Sequence, residues 1–126
     1  MKKTIFLALG LLVSLPAYAL GDKPHDVGLA VESRLKKMAS DIYQHEDWQN
    51  AFHGDVEKKD YQLIQDLNPI RVYYKKTGVY VHTFSEVNLE EGYFIAPPNA
   101  QPPKLSYLTF EPIGNDVYIY KLDYKK

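Results

Sequence analysis

The sequence predicts an α+β fold: an N-terminal helix packed on one face of a curved antiparallel sheet of about 4–5 strands. Two patterns carry that expectation. Val27, Val31, Leu35, Met38 and Ile42 recur at spacings of four, four, three and four, which puts them on one stripe of a helix. Beyond Asp60, runs rich in Val, Ile, Tyr, Phe and Thr alternate with Gly, Asn and Pro, the signature of strands and their turns. One helix followed by an antiparallel meander defines the class.

The first element is an address rather than a fold. Lys2 and Lys3 precede the apolar run TIFLALGLLVSL, and PAYA ends in a small-x-small cleavage signature, so residues 1–19 read as a signal peptide cut near Ala19. The apolar run is shorter than the roughly 20 residues a bilayer span needs, and no later segment of the mature chain is long enough. Periplasmic localisation or secretion is the expectation, with residues 20–126 as a single α+β domain. Of the 15 basic residues, the leader holds two, leaving 13 against 16 acidic ones and a net charge of −3. That balance gives no electrostatic footprint for nucleic acid. The chain has no cysteine, which removes disulfides, thiolate metal sites and cysteine nucleophiles together.

LGDKPHD, residues 20–26, reads as a polar lead-in without regular structure. Asp26 is placed to cap the helix, which should run to about Tyr43 or beyond. The stretch HEDWQNAFHGD that follows has the residue types of a metal site. Its spacing argues against one, because eight residues of helix separate His45 from His53 by about 12 Å. The apolar stripe also loses phase there. The expectation is a corner in which Asp47 caps a short second helix that buries Trp48 and Phe52, with Gly54 as its stop and solvated histidines.

DYQLIQDLNP fits either a short helix or an edge strand, ended by Asn68-Pro69. PIRVYYKKTGVYVHTF then reads as a hairpin turning over Lys75 to Gly78, with Gly78 left-handed. Pairing Tyr74 with Tyr80 and Val72 with His82 puts Ile70, Val72, Tyr74, Tyr80, His82 and Phe84 on one face. GYFIAP is a third strand, and KLSYLTFEP and DVYIYKLDY form a last hairpin around Gly114-Asn115. In that hairpin Tyr118, Tyr120 and Leu122 take one face, and Leu108, Phe110, Val117 and Ile119 take the other. APPNAQPP, residues 96–103, is an extended proline-rich connection that cannot join a ladder. The resulting shape is cystatin-like or roll-like.

Both sheet faces carry large apolar side chains, and one helix covers only one of them. A protein partner or a second protomer is therefore expected on the other, with Tyr73, Tyr80, Phe94, Tyr118 and Tyr120 as binding residues and Trp48 as an anchor. No serine sits in a nucleophile elbow, and there is no phosphate loop or dinucleotide fingerprint. No cofactor, metal or catalytic residue is expected. The functional expectation is a non-catalytic envelope protein of inhibitor, immunity or accessory type. The alternative is a ligand-binding or hydrolase-like pocket between helix and sheet around His82, with Tyr74 and Tyr120, or with Glu86 or Asp116 as an acid–base partner.

Overall fold

A computed structural model describes residues 19–45, 48–50 and 52–125. Residues 1–18, Glu46, Asp47, Ala51 and Lys126 lie outside the described residues. The element order is β1 (Leu20–Gly21), α1 (Leu29–His45), β2 (Gly54–Asp55), a 3-10 segment (Lys58–Leu67), β3 (Arg71–Lys75), β4 (Gly78–Glu86), β5 (Leu89–Ile95), β6 (Leu108–Gly114) and β7 (Val117–Asp123).

Helix α1 contains no Gly or Pro, and its Ala, Leu, Glu, Lys and Met are strong helix formers. It starts later than the sequence pattern suggests. Gly28 takes a left-handed φ of 84° and passes its carbonyl to the Glu32 N–H. Asp26 accepts a hydrogen bond from Gly28 N–H at 3.3 Å, so it closes a turn ahead of the helix and does not cap it. The expected stripe holds in its centre, where Leu35, Met38, Ala39 and Ile42 are buried against the sheet. Each such side chain contributes about 1.5–3 kcal/mol. Arg34, on the helix flank, grips the 3-10 segment through a bidentate pair with Asp66 at 2.6 and 3.0 Å and a bond to the Leu63 carbonyl. That segment kinks at Tyr61 and Ile64, the two residues it buries, and ends on Asn68 in the left-handed conformation.

Among the described residues the sheet is antiparallel throughout and has seven strands, in the order β2-β3-β4-β5-β7-β6, with β1 paired to β4 beyond the end of β3. Seven replaces the expected four or five because β1 and β2 have two residues each, too short for periodicity to reveal. The lead-in is therefore not free of structure. Leu20 and Gly21 pair with Ser85 and Phe84, Asp22 N–H bonds the Thr83 carbonyl, and His25 N–H bonds the Tyr93 hydroxyl.

Register is the second correction. Tyr73 pairs with Tyr80, Val72 with Val81 and Arg71 with His82, one residue away from the expected pairing. The turn spans Lys75 to Gly78 as expected, but Gly78 pairs with Lys75 at φ 147° instead of forming the left-handed bulge, and a Cβ there would come within 2.6 Å of the Phe94 ring. The core decides the register. This pairing gathers Val72, Val79 and Val81 under α1, whereas the slipped one splits them between faces. In the last hairpin Phe110 pairs with Tyr120 and Leu108 with Leu122, so these four share a face and Val117 and Ile119 point to the helix. A bulge between Pro112 and Gly114 produces the difference.

The corner after α1 also differs. Residues 48–50 form a turn, Gly54 opens β2 rather than closing a helix, and Phe52 is 92% exposed instead of buried. The proposed cap Asp47 lies outside the described residues.

Candidate functional site

Two places on the molecule concentrate functional side chains, and both begin at the sheet. At the first, the last turn of α1 meets the ends of β4 and β5. The Tyr43 hydroxyl donates to the Ile95 carbonyl at 2.6 Å and accepts from Val79 N–H at 3.1 Å, which fastens the helix to two strands. Burial pushes its ionisation well above that of an ordinary tyrosine. The Trp48 indole N–H donates to the Tyr43 carbonyl at 3.1 Å, satisfying an orphan acceptor at the helix end, and the two rings lie 4.7 Å apart. Opposite them, Ala96 N–H bonds the Asp116 carbonyl and Ala100 N–H bonds the Pro97 carbonyl, so the start of the proline loop is held in a turn. Between these walls runs an open groove of about 660 Å³, floored by Tyr43, Trp48, Ile95, Pro97 and Pro98 and rimmed by Gln44, Lys76 and Asp116.

The second place is the sheet face turned away from α1. Its aromatic rings form a continuous chain. His53 stacks on Tyr73 and Tyr73 on Tyr80 at 5.0 Å each, Tyr80 meets Phe94 and Tyr120, and Phe94 meets Phe110. Tyr73 is 2% exposed, Tyr80 3%, and Phe94 and Tyr120 0%. The cover comes from the chain itself. Because β5 ends beside Val117 and β6 begins beside Leu122, residues 96–107 must run back along the sheet. Ala96 joins the aromatic cluster, and residues 101–106 border an open hollow together with Phe110 and Tyr118.

Within this face sits a buried carboxylate. Glu90 Oε2 accepts hydrogen bonds from the Tyr73 hydroxyl at 2.6 Å and the Tyr120 hydroxyl at 2.5 Å. Its Oε1 lies 3.6 Å from the Arg71 guanidinium, which rests 4.4 Å above the Tyr73 ring. Both tyrosines are raised well above their ordinary ionisation, chiefly by burial and then by the neighbouring groups. Arg71 Nε–H donates to His82 Nδ1 at 3.4 Å, and His82 Nε2 lies 2.8 Å from Ser85 Oγ. Burial lowers the His82 pKa, opposed by Glu90 and reinforced by Arg71. With Nδ1 accepting from Arg71, the neutral ring carries its proton on Nε2 and donates to Ser85. That is the wrong tautomer for a base that activates a serine, and an arginine stands where an orienting carboxylate belongs.

The structure redistributes the residues singled out in the sequence. Tyr73, Tyr80, Phe94 and Tyr120 are brought together, but as interior packing. Tyr118 is half-buried beside a trough of Pro102, Pro103 and Phe110, and Trp48 is half-buried in the groove on the other side of the proline loop. His82 lies on the face away from α1, as does Tyr120, while Tyr74 packs on the helix side; the three share no pocket. His82 engages Arg71 and Ser85 rather than Glu86 or Asp116. His53 is not simply solvated, since it stacks on Tyr73 and lies 3.3 Å from Asp55. Among the described residues no group of three or more His, Asp or Glu is arranged to hold a metal ion, and no helix is long and apolar enough to cross a membrane.

Tyr43, Arg71 and Glu90 escaped sequence reasoning. One signal for Glu90 was available: it lies an even number of residues from Gly92 and Phe94, so it shares their inward face, an acid where an apolar residue is expected.

Comparison with protein-family models, curated proteins and solved structures finds no match to this chain. The cystatin-like expectation thus has no counterpart, and the α+β description rests on the helix and sheet themselves.

Proposed function

We propose that the protein is an exported, non-catalytic domain of the bacterial envelope that binds another protein through its proline loop and the two hollows beside it. The observation that carries this reading is the groove at Trp48. It combines an aromatic anchor, two prolines and a polar rim in about 660 Å³, within the size range of binding clefts. Trp48 and Tyr118, on opposite sides of the loop, remain the binding residues, and the interior tyrosines supply the rigid platform beneath them. An extended segment of a partner chain is the occupant that suits such a shape, since a preformed loop and stacked rings lose little entropy on binding. Export is supported by the leader pattern, with the first strand of the sheet starting directly after the expected cleavage point.

The test is photo-cross-linking in cells from a reactive side chain at Ala100, in the groove, and from one at Val87, at the opposite end of the sheet. A discrete adduct in the envelope fraction is expected from position 100 only, and Trp48→Ala should abolish it. An adduct of the chain with itself would make the occupant a second copy. Equal adducts from both positions, or none from position 100, would contradict the reading.

A further inference from the structure

The cluster around Glu90 is not used by the binding surface above, yet it is the most charged part of the interior. Five elements contribute to it. Strand β3 supplies Arg71 and Tyr73, β4 supplies His82 and Ser85, β5 supplies Glu90, β7 supplies Tyr120, and β2 supplies Asp55 with His53 just before it. Just past β7, Tyr124 also lies within the electrostatic reach of Glu90 and Arg71.

Arg71 has two carboxylates within reach and no close bond to either. It stands 3.6 Å from Glu90 and 4.0 Å from Asp55. Its one directional hydrogen bond is from Nε–H to His82 Nδ1, and that bond exists only while Nδ1 carries a lone pair. A proton on Nδ1 would turn the acceptor into a donor facing a donor, and would set an imidazolium against a guanidinium in a buried site. Glu90 would then have a cation on its own sheet face from β4 instead of from β3.

We propose that His82 is a proton-operated switch for Arg71: neutral, it holds the guanidinium over Tyr73 and Glu90, and protonated, it drives the guanidinium outward to Asp55. The step consumes one proton and breaks one hydrogen bond, with no covalent change. Arg71 is already 45% exposed and Asp55 73%, so the outward position is open to it. Release uncovers the Glu90 carboxylate and its two tyrosine hydroxyls at the β2–β3 side of the sheet. Acidification therefore changes the charge pattern of this sheet face. Histidine is suited to this because its ring gains or loses one proton in mild acid, and burial places that step for His82 on the acid side of the ordinary value of about 6.5.

The experiment is a pH titration of the mature protein by NMR, following the imidazole signals of His82 and His53 together with the Arg71 Nε–H. The Arg71 signal should shift and lose its protection with the same midpoint as His82. In His82→Gln, whose carboxamide oxygen accepts at every pH, the Arg71 signal should stay constant through that range, and in His53→Gln it should still move. An Arg71 signal that stays fixed while His82 titrates would overturn the proposal. So would a shift that follows His53 and disappears in His53→Gln, or a His82 that takes no proton before acid unfolding. If His82→Gln does not fold, the wild-type titration alone decides, because the two histidine midpoints are read in the same spectra.

Discussion

Tyr43 and Glu90 show how much of this molecule rests on single polar atoms. The Tyr43 hydroxyl bonds the Ile95 carbonyl and the Val79 amide at the place where α1 crosses the sheet ends. Tyr43→Phe should leave both groups short of a partner and lower stability by about 1–3 kcal/mol, read as a fall in the urea midpoint with unchanged slope. Glu90→Ala should cost more, about 2–5 kcal/mol, because it leaves two buried hydroxyls without their acceptor at about 1–3 kcal/mol each. Glu90→Gln keeps an acceptor and should fall between that variant and wild type. Neither residue stood out in the sequence, and the reason is physical. Glu90 acquires meaning only when β3, β5 and β7 bring Arg71, Tyr73 and Tyr120 to it from up to 30 positions away. Trp48 was visible as the sole tryptophan, but its bond to the Tyr43 carbonyl depends on where the helix ends.

At the scale of elements, length decided what could be read. Helix α1 and strands β3 to β7 are long enough for periodicity to show, and each exists as its apolar pattern predicts, with the helix start, the bounds of β5 and β6 and the hairpin registers shifted. Two-residue strands have no period, so β1 and β2 became evident only from their pairing with Ser85, Phe84, Tyr74 and Tyr73. Register was hidden for a different reason. The pairing depends on whether Gly78 bulges or pairs with Lys75, and the choice between them lies in the helix stripe that Val72, Val79 and Val81 must meet. The same dependence on close fit appears at Gly92, between β4 and β5. A Cβ there would sit 1.9 Å from the Val81 carbonyl oxygen, which no rotamer change can relieve. Gly92→Ala should therefore push β4 and β5 apart and cost about 1–3 kcal/mol, measured by thermal unfolding. A variant as stable as wild type would show that the strands are less tightly set than the geometry states.

The whole molecule carries a pH signature at both ends of the scale. His82 has its pKa lowered by burial, so it contributes stability above about pH 6.5 and that contribution is lost as pH falls below it. Tyr43, Tyr73, Tyr80, Tyr93 and Tyr120 are all raised by burial, so their contribution is intact below about pH 10 and is lost as pH rises beyond it. Alkaline titration followed by tyrosinate absorbance should show these rings ionising only with unfolding, in one cooperative step. The second sheet face accounts for most of that signature, and because its inner tyrosines are buried the proposed binding falls to the proline loop. Trp48, the chain's only tryptophan, reports directly on that assignment. The decisive measurement is titration of residues 20–126 with the partner that cross-linking identifies, following Trp48 emission in the wild-type chain and comparing the affinities of wild type and Trp48→Ala by calorimetry. The account predicts a saturable change in emission and an affinity at least about tenfold weaker in the variant, or some 1.4 kcal/mol. Tight binding that leaves both the wild-type emission and the affinity of the folded variant unchanged would contradict it.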